Sequence, residues 1–229
     1  LSGLDATALL AVSPDGQSAV SAGARVYLVG ADGAAKNQIE LADSAQALAW
    51  SADDRLAVLH GSKMTVYRSG KAAYELPADS GASIAFAPDG RLAALNGSSL
   101  RLYGADGSKL AESSVERNSG SIRFIDGGNV VLADANNVWA VNPVDGKTLW
   151  RARYEGAEGL SQVVVSPDGT RIAVFTAASS TPALWVLDQT GAQLHAELLQ
   201  TLPDAAVFAG NTQLQFAIGG TLQLHPVTP

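Results

Sequence analysis

Short apolar runs alternate with polar turns along the whole chain. Four tetrapeptides of related composition each follow a large apolar residue. They are SPDG at 13–16, SADD at 51–54, APDG at 87–90 and SPDG at 166–169. Two weaker copies, FIDGG and FAGN, begin at Phe124 and Phe208, and consecutive copies lie 36 to 43 residues apart. This spacing predicts six repeats of about 40 residues.

Each repeat contains several short segments with the pattern of β-strands. The Pro-Asp-Gly turn suits a tight connection between two antiparallel strands. A third apolar run follows, such as RVYLV at 25–29 or LWVLD at 184–188, and its aromatic and β-branched residues alternate with period two. A glycine turn and a more polar segment complete each repeat. Four short strands per repeat predict an all-β, six-bladed β-propeller with four antiparallel strands per blade.

The 229 residues suit a single propeller domain. We predict blades at approximately 8–44, 45–80, 81–119, 120–159, 160–204, and 205–229 together with 1–5. The last repeat has no segment for a fourth strand, so we expect the N-terminal residues to supply it and close the ring. Since the chain begins with Leu1 rather than Met, we also expect either a cleaved leader or a piece of a longer protein.

The composition of the chain argues against several classes of binding partner. The net charge is −7 and the Lys and Arg residues are scattered, so a phosphate backbone would be repelled and we expect no nucleic acid partner. The longest apolar runs span about five residues, against the roughly 20 that a membrane helix needs. We therefore expect no membrane insertion of this segment, and we expect a monomer. The absence of cysteine excludes disulfides and thiolate metal sites.

Two blades are similar to known bacterial repeats. The segment VVVSPDGTRIAVFTAASSTPALWVLDQTG at 163–191 resembles the propeller repeat of the TolB family. The segment VWAVNPVDGKTLWRARYEG at 138–156 resembles the PQQ-like repeat shared by quinoprotein dehydrogenases and the BamB family. The resemblance implies a propeller of the WD-type repeat superfamily, in which Trp150 packs between blades. It also implies a periplasmic or extracellular location.

The predicted first strands offer little chemistry. In propellers these strands line the central channel, and here Arg123 is the single ionisable residue among them. Arg123 either contacts an anion in the channel or pairs with a neighbouring carboxylate. No set of residues suits PQQ with Ca²⁺, a lactonase metal or a serine nucleophile, so we expect no catalytic residue and no cofactor. The three histidines lie in separate blades and are not expected to share a zinc site, so we expect no metal.

The loops that precede the first strands, named lead-in loops here, carry the remaining candidate site residues. In propellers these loops surround one mouth of the channel. Together with Arg123, the predicted partner-binding residues are Asp43, Asp79, Arg117, Asn118, Glu158 and Asp204. Their carboxylates either form a negative ring that attracts a basic segment or a cation, or are ordinary solvated acids.

These observations predict a non-enzymatic scaffold or sensor propeller that binds a protein or peptide. One alternative is a metal-dependent hydrolase or lyase, similar to the lactonases, with its site at the channel mouth. A second alternative is a sensor domain that holds a small ligand in the channel. Whether the chain is an enzyme stays open, with the non-enzymatic interpretation preferred.

Overall fold

The fold consists of six antiparallel sheets in sequence order. The computed structural model describes residues 9–13, 15–116, 120–154, 159–177 and 181–227. Five sheets have four strands, and the last has three strands among the described residues. A 3₁₀ turn at Asp126–Gly128 is the one helical element in these ranges, and no helix there is long and apolar enough to span a membrane. The prediction of an all-β, six-bladed β-propeller is confirmed, except that the sixth blade shows three strands.

Unit 1, Leu1–Ser114, is the first of two compact units and contains three blades. Blade 1 consists of β1 (Leu10–Val12), β2 (Ser18–Ala22), β3 (Arg25–Val29) and β4 (Ala35–Glu40). Blade 2 consists of β5 (Ala45–Trp50), β6 (Arg55–His60), β7 (Lys63–Arg68) and β8 (Lys71–Pro77). Blade 3 consists of β9 (Ser83–Phe86), β10 (Leu92–Asn96), β11 (Ser99–Tyr103) and β12 (Lys109–Ser114).

Unit 2, Val115–Pro229, contains the other three blades. Blade 4 consists of β13 (Ser121–Phe124), β14 (Val130–Ala133), β15 (Asn137–Val141) and β16 (Thr148–Arg153). Blade 5 consists of β17 (Gly159–Val165), β18 (Arg171–Ala177), β19 (Ala183–Asp188) and β20 (Gln193–Leu198). Blade 6 consists of β21 (Ala205–Phe208), β22 (Gln213–Ile218) and β23 (Thr221–Pro226). The strand expected from residues 1–5 lies outside the described residues.

Strand position within a blade determines burial. In every blade neighbouring strands pair in sequence order, so the first strand forms one edge of the sheet. Within each unit the first strands of successive blades contact one another, as β5 contacts β1 and β9, and β17 contacts β13 and β21. In blades 1 to 5 the second and third strands are the most buried, with β6 and β15 buried along their whole length, whereas the third strand of blade 6, β23, is mostly exposed. The core therefore lies between blades, where the middle strands pack face to face.

In the three copies that begin with serine, the repeated tetrapeptide is a turn closed by the serine hydroxyl. In blade 5 the hydroxyl of Ser166 donates to Asp168 at 2.6 Å and accepts from the backbone N–H of Arg171 at 2.9 Å. The backbone N–H of Gly169 donates to the Ser166 carbonyl at 2.8 Å. Ser13 and Ser51 make the equivalent bonds in blades 1 and 2. The motif recurs because each blade needs this connection between its first and second strands.

The arginine that begins β6 joins blade 2 to blade 3. Only 5% of the Arg55 side chain is exposed, and its Nε donates to both oxygens of Asp53 at 2.9 and 3.0 Å. Its other nitrogens reach blade 3, where Nη2 donates to the Gly90 carbonyl at 3.0 Å and Nη1 to the Ala105 carbonyl at 2.6 Å. The guanidinium also lies 5.3 Å from the ring centroid of Phe86. One buried cation thus satisfies two backbone acceptors of the next blade.

The same device recurs between blades 5 and 6. Arg171 begins β18, as Arg55 begins β6, and its Nη1 donates to the Val227 carbonyl at 2.8 Å and to the Asn211 carbonyl at 3.2 Å. Between blades 4 and 5 the indole N–H of Trp150 donates to the Gln189 carbonyl at 2.7 Å. Trp150 therefore packs between blades, as the PQQ-like resemblance implied.

Gly169 allows blade 5 to touch the backbone of blade 4. Its φ of 74° lies in the left-handed region, and a Cβ at this position would stand 2.4 Å from the backbone nitrogen of Asp126. That nitrogen donates to the Gly169 carbonyl at 3.0 Å. Only glycine provides both the conformation and the space.

Replacing Gly169 with alanine is expected to lower the free energy of unfolding by about 2–4 kcal/mol, because the methyl group adds a backbone clash to the cost of positive φ. Gly210→Ala is the matched control, since φ is 78° there and no atom lies within 4 Å of the added Cβ. Urea unfolding of both variants measures the difference. An equal decrease in the free energy of unfolding of the two variants would show that the clash with Asp126 does not contribute to the effect.

Arg55→Met is expected to lower the free energy of unfolding by about 2–4 kcal/mol, because two backbone carbonyls of blade 3 lose their donor. Arg68→Met is the control, since the Arg68 side chain is 64% exposed and lies 3.8 Å from the same Asp53 carboxylate. The control is expected to stay within about 0.5 kcal/mol of the parent. Denaturant midpoints measure the stability of both variants. An equal loss of stability in the two would contradict the role of Arg55 in joining blade 2 to blade 3.

Candidate functional site

A cleft of about 540 Å³ lies on the inner side of unit 2. The first strands β13 and β17 form its walls, with contributions from the turn between β14 and β15 and from the start of β21. Its lining includes Ser121, Arg123, Asp134, Leu160, Val164 and Ala206. The cleft therefore combines small apolar side chains with polar ones, and it holds one cation, Arg123, and one acid, Asp134.

Arg123 is the cation of this cleft and has no ionic partner within the described part of the chain. Its side chain is exposed to the cleft, and Nη1 donates to the carbonyl of the adjacent Ile122 at 2.8 Å. Surrounding protein desolvates the guanidinium and lowers the pKa of Arg123. The expected pairing with a neighbouring carboxylate is absent across the described ranges, and the alternative of an anion contact fits the geometry.

Three of the predicted acids, Asp43, Asp79 and Asp204, each contact the blade that their lead-in loop precedes. Asp79 pairs with Arg101 Nη1 at 2.9 Å in blade 3. Asp204 accepts from the backbone N–H of Gly219 at 2.8 Å, at the turn between β22 and β23. The carboxylate of Asp43 lies against Gly61, in the equivalent turn of blade 2. Because these contacts support local turns, a role in partner binding stays a prediction.

Three of the predicted residues, Arg117, Asn118 and Glu158, lie outside the described residues. The structure therefore places Arg123 and Asp204 in unit 2 and Asp43 and Asp79 in unit 1. Each of these four occupies the strand or lead-in loop that the repeat pattern assigned to it.

Glutamines on two first strands position the lead-in loops, which sequence reasoning missed. Gln162 on β17 donates to the carbonyls of Pro203 and Asp204, both at 3.2 Å, and accepts from the backbone N–H of Ala206 at 2.9 Å. Gln46 on β5 accepts from the backbone N–H of Gly81 at 2.8 Å in the same way. The available signal was a glutamine near the start of two otherwise apolar first strands. The bonds of Gln162 fix the loop that leads to Ala206 in the cleft wall, and the bond of Gln46 fixes the equivalent loop of blade 3 in unit 1.

One group of potential metal ligands comes together in the described ranges. His195, Glu197 and His225 place one ligand atom each within 4.8 Å of one another. His195 and His225 therefore lie close together although they belong to separate blades, and the expectation that they bind no metal stays a prediction. His60 is buried in blade 2, where its Nε2 lies 3.0 Å from the hydroxyl of Thr65.

A comparison with known families shows to which family the chain belongs. A PQQ-type family model described as outer membrane protein assembly factor BamB matches residues 96–225, more than half of the chain. The chain belongs to the BamB family. The match includes blades 4 and 5 completely, where the PQQ-like resemblance was noted, and confirms that part of the sequence interpretation. The TolB resemblance stays a prediction.

Solved structures share the fold of this BamB-family chain at low identity. The WD40 domain of Neurospora crassa Pan2 aligns with a TM-score of 0.74 and 9% identity, over 96% of this chain and 78% of that one. KlHsv2 with loop 6CD replaced by a Gly-Ser linker aligns with a TM-score of 0.67 and 13% identity, over 92% of this chain and 73% of that one. No curated protein matches the chain. These likenesses support the propeller architecture and the WD40-like description.

The residues present do not fit the quinone cofactor for which the PQQ-type repeat is named. Such a site needs Ca²⁺ held by carboxylate and amide oxygens, with polar groups around the ring. Among the described first strands, Arg123 is the one ionisable residue. The repeat in this BamB-family chain is therefore treated as an element of blade structure.

When the pH is lowered from 7.5 to 5.5, the free energy of unfolding of the parent chain is expected to decrease more than that of the His60→Gln variant. Burial lowers the pKa of His60 below its usual 6.5, assisted by the charge of Lys63. The unfolded chain therefore binds a proton near pH 6.5 that the folded chain does not, and the free energy of unfolding decreases as the pH falls below that value. One such group changes it by at most about 1.4 kcal/mol per pH unit.

Urea midpoints of both proteins at several pH values measure this difference. Other titrating groups contribute equally to parent and variant, so the difference isolates His60. Parallel pH profiles for the two proteins would contradict a buried neutral imidazole.

Proposed function

We propose that this chain is a non-enzymatic protein-interaction propeller whose cleft at Arg123 binds a carboxylate of a partner peptide, either an acidic side chain or a free C-terminus. Membership in the BamB family supports the interaction role, since the family description is that of an assembly factor. The observation that carries the binding site is the lack of an ionic partner for Arg123 among the described residues.

The electrostatics of the cleft favour an anionic ligand. Surrounding protein partly desolvates the Arg123 guanidinium, and no ionic partner among the described residues offsets that cost, which is why the pKa of Arg123 is lowered. A bound carboxylate would supply the missing charge and could accept two parallel N–H bonds from the planar guanidinium.

The shape and lining of the cleft suit a peptide segment. Its volume of about 540 Å³ lies within the usual range of about 300–1,000 Å³ for ligand sites. Leu160, Val163 and Val164 provide apolar surface beside the guanidinium. Since Gln162 already bonds the lead-in loop of blade 6, that wall of the cleft is fixed before a ligand arrives. A preformed wall reduces the entropy lost on binding.

The family description also supports an extracytoplasmic location, which we propose for this chain. The named factor assembles proteins of the outer membrane. Exposed peptide segments of partner proteins would be the natural ligands there.

The test is a peptide array. Each sequence is present with a free and with an amidated C-terminus, and also in a form in which every Asp is replaced by Asn and every Glu by Gln. Peptides that bind are expected to weaken when their carboxylate is neutralised. For the strongest peptide, Arg123→Ala is expected to raise the Kd about 30-fold, the effect of losing about 2 kcal/mol of charge-assisted hydrogen bonding. Fluorescence anisotropy measures the Kd.

Arg151→Ala is the matched control, because Arg151 lies on the outer strand of the same blade and pairs with Glu116. It removes the same charge without altering the cleft and is expected to leave the Kd within about twofold. Equal loss in both variants would indicate a general charge effect. Tight binding of neutral, amidated peptides would overturn the carboxylate site.

A further inference from the structure

Two strands of neighbouring blades bring three metal-ligating side chains together in unit 2. His195 and Glu197 lie two residues apart on β20, so the alternation of a strand places both on one face. His225 lies on β23 of blade 6. The Nε2 atom of His225 is 2.7 Å from Oε1 of Glu197, and the Nε2 atom of His195 is 3.5 Å from Oε2 of Glu197.

These atoms are buried without the hydrogen bonds that would satisfy them. His195 Nε2 and Glu197 Oε1 have no solvent access and no hydrogen-bond partner. The 2.7 Å contact between Glu197 and His225 is close, but its atoms are not aligned as a hydrogen bond. Leaving such atoms unsatisfied costs free energy, and a shared ligand between them would remove that cost.

The surrounding core holds the histidine rings in place. The ring of His225 stacks on Phe216 with centroids 5.4 Å apart and planes at 15°. Phe216 in turn makes an edge contact with Phe175 in the core between blades 5 and 6. The side chains of His195, Glu197 and His225 are each about 30% exposed, at 31%, 27% and 30%. A cation can therefore reach a group whose ligands are already oriented.

We propose that His195, Glu197 and His225 form a metal site that binds Zn²⁺ in preference to Ca²⁺ and Mg²⁺. Two imidazoles and a carboxylate are an established zinc ligand set, with a fourth position left to water. Ligand atoms about 2.0–2.1 Å from a tetrahedral ion lie about 3.3–3.4 Å apart. The three ligand atoms here lie within 4.8 Å of one another, with His225 Nε2 2.7 Å from Oε1 of Glu197 and His195 Nε2 3.5 Å from Oε2 of Glu197. Small side-chain rotations complete the geometry. Ca²⁺ and Mg²⁺ prefer all-oxygen sites and are not expected to bind.

The bound ion would join blade 5 to blade 6. Its ligands come from the outer strand of one blade and from the third strand of the next. A ligand that binds only the folded state stabilises it by mass action. The metal site would thus be a second connection between blades 5 and 6, in addition to the hydrogen bond that Arg171 makes.

Metal-free protein is titrated with ZnCl₂ and, separately, with CaCl₂ and MgCl₂. Equilibrium dialysis is expected to give one Zn²⁺ per chain, and free Zn²⁺ at about 100 times its Kd is expected to raise the Tm by roughly 5–10 °C. Calcium and magnesium are expected to leave the Tm unchanged. Several weakly bound Zn²⁺ ions in place of one would overturn the site.

Histidine side-chain NMR tests the ligands without any substitution. Zn²⁺ is expected to shift the imidazole resonances of His195 and His225 and to leave those of His60 in place, since His60 is bonded to Thr65 in unit 1. A shift of His60 alone, or of none of the three histidines, would contradict the proposal whether or not the variants below fold.

Substitution then assigns each ligand. His195→Gln, Glu197→Gln and His225→Gln are each expected to weaken Zn²⁺ binding at least tenfold. Glu40→Gln is the control, because Glu40 is an exposed acid on an outer strand of unit 1, paired with Arg25. Unchanged affinity in all three ligand variants would show that Glu197 and the histidines interact only with one another.

Discussion

Hydrogen bonds from an arginine guanidinium to the backbone of the next blade join blade 2 to blade 3 and blade 5 to blade 6, and the packing of neighbouring blades depends on contacts of this kind. A four-stranded sheet cannot bury both of its faces alone, so each blade needs a neighbour at a fixed position. Hydrophobic packing brings blades together but does not set their register. Arg55 and Arg171, which both begin a second strand, bind carbonyls of the following blade and so determine that register. Trp150 does the same from an outer strand.

The two candidate sites follow from this arrangement and lie on different strands of the same unit. The cleft is built on first strands, where short apolar segments leave room beside Arg123. The metal-ligand group is built on the last strands of blades 5 and 6. In blade 5 the strands β17 and β20 are three strand spacings apart, about 14 Å across the sheet. A peptide and a metal ion could therefore be bound by blade 5 without sharing a residue.

The repeat made the architecture predictable from sequence, because the same turn recurs at nearly constant spacing and its residues act locally. Ser166, Asp168 and Gly169 interact mainly within their own turn, so their pattern survives in the sequence. Arg123 was identifiable for a related reason, since it is the one charge on an apolar strand. The proximity of His195 and His225 was not predictable. It depends on how blade 5 is positioned against blade 6, and the number of residues between the two histidines does not indicate that position. The contacts of Asp79 and Asp204 were likewise set by neighbours that spacing does not reveal.

The hydrogen bonds that Arg55, Arg171, Trp150 and Gln162 make to the next blade share one property, which is that their partners there are main-chain groups. Arg55 binds the carbonyls of Gly90 and Ala105, and Gln162 binds those of Pro203 and Asp204. A carbonyl persists whatever side chain its residue carries, so the receiving surface of each blade can diverge without breaking the joint. This tolerance of sequence drift is consistent with a fold that is shared with the Pan2 WD40 domain at 9% identity.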